Sequence, residues 1–309
     1  MSFTPQVHIS KAITYSIFSS ILCTGMLILA QNILTSLSIN QLIFVRSVIS
    51  LVLLWPCIMI SKQKQSYRNY LVTPFLRLHI ARTLIGLIAV WLFLYSLRTI
   101  SIAEANILYN TIPFFIPLIL RIKTKTKINY KGSLGIGIAF IGICLLMQPK
   151  SLSYTVGLIA ALVSAIGGAI TMVLQRQIYN HEPFYRGLFY YLVISTGVSG
   201  LWFCFEDNSL FVHMNFSEYS FLFWLSFSTL FAQIFMALSI KYAPAKFIAP
   251  FSYLSFLFSL GFTIFIEHRI PSTMEWLGMG LIVSGLSIFL ALCANAEERE
   301  KLIAQASYE

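Results

Sequence analysis

Charge is what this sequence has least of. Only 10% of its 309 residues are charged, against 58% hydrophobic, where ordinary soluble domains carry about 25% charged residues. So little polar surface excludes a pair of water-soluble domains of this total length. The eleven acidic residues all fall in connecting segments, in the tails or at the ends of apolar stretches. That leaves no mid-membrane carboxylate to relay protons or to pair a cationic drug. Paired cysteine spacing is missing too: Cys23, Cys57, Cys144, Cys204 and Cys293 lie in or beside apolar stretches and read as small apolar residues. His8, His79, His181, His213 and His268 lie at ends or in loops without metal-ligand spacing. No metal and no cofactor is therefore expected. The net charge of +10 comes without a zinc-finger spacing, a Gly-rich phosphate loop or a basic helical stripe, so nucleic acid is not an expected partner.

What is present is a rhythm of long apolar stretches separated by short polar links. A hydrocarbon core about 30 Å thick takes roughly 20 apolar residues per helix. Ten spans follow: Ala12–Leu34, Gln41–Ile60, His79–Leu97, Ala103–Leu120, Gly132–Met147, Thr155–Gln175, Tyr185–Phe205, Tyr219–Ile240, Phe247–Ile266 and Trp276–Asn295. The first stretch outruns the apolar region of a signal peptide and lacks a small-x-small cleavage site, so it is read as a retained span. With the N-terminus inside, seventeen of the 21 Lys and Arg fall on the inner side and four (Arg46, Arg98, Lys150, Arg269) on the outer. Basic residues in short loops stay cytoplasmic. The expected fold is an all-α, multi-pass inner-membrane protein of ten transmembrane helices, its N- and C-termini cytoplasmic and its surface against the lipid bilayer.

The two halves echo each other. Leu134-Gly135-Ile136-Gly137 with Gly142 recurs as Leu277-Gly278-Met279-Gly280 with Gly285, an offset of 143. Ser20 and Gln31 recur as Ser164 and Gln175 at 144, and Tyr95-Ser96-Leu97 falls opposite Met236-Ala237-Leu238 at 141. The domains expected are a first five-helix repeat over 1–150 and a second over 151–309, ending in a short cytoplasmic tail. Five is odd, so the second repeat enters the membrane from the opposite side and the repeats are inverted. Such halves exchange conformations about an axis in the membrane plane, opening a central site to each side in turn. The functional expectation is a carrier of a small molecule.

The chain resembles the drug/metabolite transporter superfamily, in its ten-span EamA-type branch, over nearly its whole length. The resemblance is carried by Tyr242-Ala243-Pro244-Ala245, Ala249-Pro250-Phe251-Ser252-Tyr253, Glu267 and Leu277-Gly278 in the second half. Phe44-Val45-Arg46 and His79-Ile80-Ala81-Arg82 carry it in the first. One departure matters. Where many family repeats carry a glutamate after the fourth span, this chain has Lys123-Thr124-Lys125-Thr126-Lys127, which argues against two matched carboxylates. The resemblance implies transport of amino acids and their derivatives, S-adenosylmethionine, nucleotide-type metabolites or drugs across the plasma membrane. The ninth span is similar to that of S-adenosylmethionine carriers.

Candidate site residues follow from helical spacing. Asn106, Asn110, Pro113 and Pro117 share one face of span four. The prolines there, like Pro250 in span nine, are expected helix kinks that free carbonyls beside a midplane site; helix-to-helix glue is the alternative role for the asparagines. Gln31 and Gln175 end polar stripes that either line a cavity or pack helices closely. Trp91, Tyr95 and Tyr253 are flat walls for a stacked ligand, or lipid- and bundle-facing aromatics. Arg46 and Arg82, in the first turns of their helices, either snorkel to the headgroups or meet a ligand carboxylate. Glu267 either pairs with Arg269 or caps a turn. Gly135 and Ala139 on span five, with Gly280 and Ser284 on span ten, allow close contact within the protomer or across a homodimer. Other readings are a multidrug exporter, a membrane-embedded enzyme, which lacks catalytic His or Asp at depth, and a scaffold, which lacks a soluble module.

Overall fold

The computed structural model describes residues 9–61, 71–112, 114–116, 118–119, 130–146, 152–179, 181–205, 215–242, 254–285 and 287–288. The described chain is helical: α1 (Ile9–Ile33), α2 (Ile39–Ser61), α3 (Leu76–Ser96), α4 (Ile102–Tyr109), α5 (Tyr130–Leu146), α6 (Leu152–Tyr179), α7 (Phe184–Phe203), α8 (Phe216–Tyr242), α9 (Leu254–Phe265) and α10 (273–285). Five of these (α1, α2, α3, α6 and α8) are long and apolar enough to cross a membrane. Large apolar side chains face outward, with Val52, Ile88 and Leu201 each more than 60% exposed. Apolar surface on that scale belongs against lipid.

Helix starts are encoded locally. Ser101 accepts from the Glu104 amide while Glu104 accepts from the Ser101 amide at 2.9 Å. The same reciprocal cap joins Ser38 to Gln41 at α2 and Ser272 to Glu275 at α10. At α8 the Asn215 amide donates to Glu218 at 2.8 Å. Capping satisfies orphan N–H groups at a helix end that lipid leaves without water. These four helices alternate with helices running the other way, so the caps gather at one end of the bundle.

Span four is expected as one helix kinked at its prolines; in the described residues its regular α-helix ends at Tyr109. α4 ends at Tyr109, and the chain tightens there: the Thr111 amide bonds to Leu108 and the Phe114 amide to Thr111, each three residues back. Proline at 113 has no N–H to give the Tyr109 carbonyl. Pro113, Pro117 and Pro250 lie outside the described residues, as do residues 247–253 of the ninth span.

Packing repeats itself between the halves. α1 lies along α8, and α6 lies along α3; α8 also meets α2, and α3 meets α7. α1 meets α9, and α6 meets α4; α2 packs on α7, and α4 on α9. Replacing every helix by the one five places on reproduces these pairings. Hydroxyls fasten several of them, including Ser19 to the Ala232 carbonyl at 2.9 Å, Ser239 to the Ala12 carbonyl at 2.8 Å and Ser47 to Ser195 at 2.8 Å. In lipid such bonds substitute for hydrophobic association.

α5 and α10 cross through glycine. A Cβ at Gly142 would stand 2.6 Å from the Gly278 carbonyl, and one at Gly285 would stand 2.6 Å from the Gly135 carbonyl. The repeated glycines therefore face each other's counterparts within one protomer. Gly280 has nothing within 4 Å of its Cβ position, and Ser284 is exposed. Within the protomer the close contact of α10 is made by Gly278 and Gly285, and not by Gly280 and Ser284.

Candidate functional site

Two arginines lie deep in the bundle. Arg46 is about 10 Å along α2 from its first residue and Arg82 about 9 Å along α3. These consecutive helices run in opposite directions, so the two approach the middle from opposite ends. Their exposures are 9% and 5%. Neither snorkels, which corrects that alternative. Among the described residues no carboxylate lies within 4.0 Å of either. Arg82 donates to the Gly187 carbonyl at 3.2 Å, and its guanidinium carbon sits 5.2 Å from the Tyr191 ring and 5.9 Å from the Tyr179 ring. The Nε of each arginine is buried without a hydrogen-bond partner. Holding arginine at the centre of a bilayer costs about 2.5–3.5 kcal/mol on insertion scales, and buried charge is ordinarily paired.

Arg46 lines a small pocket of about 10 Å³ with Ser50, Leu188, Tyr191, Leu192, Thr229, Leu230 and Gln233. That is room for about one water molecule. Tyr191 thus borders both arginines. Gly187 keeps space for this arrangement, since a Cβ there would fall 2.3 Å from the Tyr179 ring. On the other side, Gly168 makes room for Ile112, 2.8 Å from where a Cβ would stand, and neighbouring Tyr109 stacks at a tilt on Phe93, 4.8 Å between centroids.

The remaining expected residues are dispersed. Asn106 is buried and donates to Ser259 on α9 at 3.1 Å. Asn110 donates to the Asn106 carbonyl and side chain at 2.9 and 3.0 Å. Trp91 stacks on Tyr95, 5.7 Å between centroids, and donates to Asn40 at the start of α2, far along α3 from Arg82. Gln31 and Gln175 are half-buried on α1 and α6, and Gln175 lies one turn from Tyr179. Tyr253 lies outside the described residues.

Acidic side chains tie both ends of the bundle. Glu104, its side chain 1% exposed, accepts from Arg269 at 2.9 Å and from Tyr154 at 2.5 Å. Arg269 also reaches Glu275 at 3.5 Å. Burial alone lowers the Arg269 pKa, but Glu104 and Glu275 outweigh it and hold the guanidinium above its ordinary range. His268, at a left-handed φ of 53°, turns the chain after α9 so that Arg269 points back at this knot. Arg269 therefore pairs with Glu104 and Glu275, not with Glu267. At the opposite end Glu182 is bound by Thr73, by His79 at 2.9 Å and by Arg186 at 3.6 Å. Both carboxylates are more enclosed than an end position suggests.

Tyr191, Tyr179, Ser259, Glu104 and Glu182 were not singled out by sequence reasoning. Serine followed three residues later by glutamate, at 101 and 272, was the available signal for the Glu104 knot. Glu182, four residues before Arg186 in a basic segment, was the signal for the other. Nothing local marks Tyr191 among fifteen tyrosines.

Comparison with known proteins places this geometry. The model of the EamA-like transporter family matches residues 10–148 and again 155–291. The pseudopaline exporter CntI of Pseudomonas aeruginosa is 22% identical over 278 residues, covering 89% of this chain and 94% of that protein. A riboflavin transporter of Brucella anthropi is 26% identical over 215 residues, 69% of this chain and 75% of its own. A transporter of Helicobacter pylori is 25% identical over 231 residues, 72% and 75% of the two chains. A solved crystal structure shares the fold at a TM-score of 0.62 and 18% identity, over 93% of this chain and 99% of that one. Two family matches in tandem, on a bundle with lipid-facing helices, make this chain a multi-pass inner-membrane transporter that belongs to the EamA-like transporter family.

Proposed function

We propose that the chain carries a small polar metabolite, an amino acid or a derivative such as S-adenosylmethionine, across the inner membrane by alternating access. Two inverted five-helix halves, 1–150 and 151–309, rock about a shared site, with both termini in the cytoplasm. The observation that carries the reading is the exchange of helix partners: α1 on α8 and α6 on α3, with the other pairings following the same shift. The crossing of Gly142 on Gly278 and Gly285 on Gly135 supports it. Halves related in this way have two equivalent arrangements, and that equivalence lets one site face either side.

The site of this proposal lies between the arginine pocket and α4, with Asn106, Asn110, Gln31, Gln175, Trp91, Tyr95 and Tyr253 as lining residues. The relatives' names, pseudopaline exporter and riboflavin transporter, support small-molecule cargo and point to no single one. Purified protein in liposomes loaded with an unlabelled metabolite panel is expected to take up the matching labelled compound by exchange. Single cysteines at Thr124 or Thr126 in a cysteine-free background are expected to react only from the inner side. Labelling from outside, or no exchange with any compound of a broad metabolite panel, overturns the reading.

A further inference from the structure

Among the described residues the strongest unexplained feature is a pair of buried cations with no carboxylate within 4.0 Å. Resting on the carrier reading, we infer that the cargo carries an anionic oxygen group, carboxylate or phosphate, which is held by Arg46 and Arg82 on either side of Tyr191. Three features fit this role. Both guanidiniums keep a buried Nε with no partner. Arg46 opens onto a narrow pocket that Ser50, Thr229 and Gln233 also line; the Gln233 amide is a neutral donor, while the Ser50 and Thr229 hydroxyls donate to the Ser226 and Leu225 carbonyls. Arg82 is pre-oriented by the Gly187 carbonyl and the two tyrosine rings, leaving part of its fork for a ligand.

The two arginines belong to antiparallel neighbours. An anion entering from one end of the bundle meets one guanidinium first and reaches the other by passing Tyr191. Helix α7, which supplies both Gly187 and Tyr191, packs on α2 and α3 alike. A shift of α7 between those helices moves the ring that separates the two cations. The charge handed across the middle of the membrane is thus the cargo's own, and the two arginines are its successive partners.

The experiment measures thermal unfolding of the full-length protein in detergent with chloride, sulfate, inorganic phosphate, succinate or L-glutamate at matched ionic strength. Adenosine and choline serve as neutral and cationic controls. At least one oxyanion is expected to raise the midpoint of the unmodified protein over chloride. Arg46→Gln and Arg82→Gln are each expected to weaken that anion about 10- to 100-fold, the size of a lost charge-assisted bond, with Arg→Lys falling between. Salting effects common to all proteins persist in the variants, so the difference between proteins is what counts. Succinate or glutamate acting without phosphate assigns a carboxylate, and the reverse assigns a phosphate.

An independent readout needs no ligand. If the arginines are kept for cargo, Arg46→Gln without anion is expected to unfold at the same temperature as the unmodified protein or higher, because an uncompensated buried charge has been removed. A marked drop in that variant, or an oxyanion response equal in all variants, or a response only to adenosine or choline, overturns the inference. Binding is read in detergent and transport in liposomes, so loss of the carrier reading and loss of the anion site are separately visible.

Discussion

Replacing Gly142 by alanine inserts one methyl group where α5 and α10 cross. Its carbon would stand 2.6 Å from the Gly278 carbonyl oxygen and 2.9 Å from the Ile282 amide nitrogen and its side chain. Ordinary contact begins at 3.4 Å, so the helices must separate by about 0.8 Å, and both obstacles at the closest approach are backbone. Overpacking of this kind costs about 1–3 kcal/mol, offset by the roughly 0.5–1 kcal/mol that alanine gains over glycine in a helix. The net expectation is a loss of about 1–2 kcal/mol. Gly285→Ala behaves alike, because its methyl meets the Gly135 carbonyl and the Ala139 amide, each at 2.6 Å. Gly280→Ala is the control: with nothing within 4 Å, it is expected to stabilise by up to about 1 kcal/mol. Thermal unfolding in detergent orders the three variants. A Gly142→Ala protein as stable as Gly280→Ala would refute the crossing and, with it, the symmetric pair of contacts, Gly142 on Gly278 and Gly285 on Gly135.

Arg269→Met strips two enclosed carboxylates of their shared cation. Because the Arg269 side chain is 35% exposed, the expected loss is about 1–3 kcal/mol, below the 3–5 kcal/mol of a fully buried pair. Adding Glu104→Gln is expected to restore part of it in denaturation, and an additive double variant contradicts the pairing. Asn106→Ala and Ser259→Ala are expected to be non-additive by about 0.5–1 kcal/mol in a double-mutant cycle, the range of interhelical bonds in membranes; additivity removes that bond. Asn110→Ala is expected to lower exchange in liposomes while membrane abundance stays level on immunoblots, and unchanged exchange removes Asn110 from the site. Gly187→Ala drives a methyl into the Tyr179 ring and is expected to weaken oxyanion binding with less effect than Arg82→Gln, read by the same midpoint shifts.

The helical rhythm was legible because lipid forces every span to satisfy its own backbone, so length and apolarity alone locate it. The described helices begin within three residues of the spans read from the sequence in α2, α3, α4, α7, α8 and α10. Those starts shift to capping residues such as Ser38 and Ser272, a local signal that hydropathy ignores. In span four the prolines announced a kink, but the apolar composition through Thr111 did not show that the regular helix ends as early as Tyr109. Of the site, Arg46 and Arg82 were legible as charges in apolar surroundings. Their burial was not, because the cover comes from α7 and α8, over a hundred residues later in the chain. Glycine repeats announced the α5–α10 crossing, but spacing alone did not tell Gly280 from Gly278, which differ only in the face they present.

The cover over the two arginines bears on how the protein is made. Leu188, Tyr191, Leu192, Thr229, Leu230 and Gln233 shield Arg46, and Tyr179, Gly187 and Tyr191 shield Arg82, all of them synthesised after residue 175. A ribosome that has delivered only the first five helices leaves both guanidiniums facing hydrocarbon or drawn out of position toward the surface. Biogenesis must hold that half-finished product, by insertase or by delay, until α7 and α8 arrive. A fragment ending near residue 150 is then a substrate for membrane quality control, and rescue by the separately expressed remainder becomes a measure of assembly.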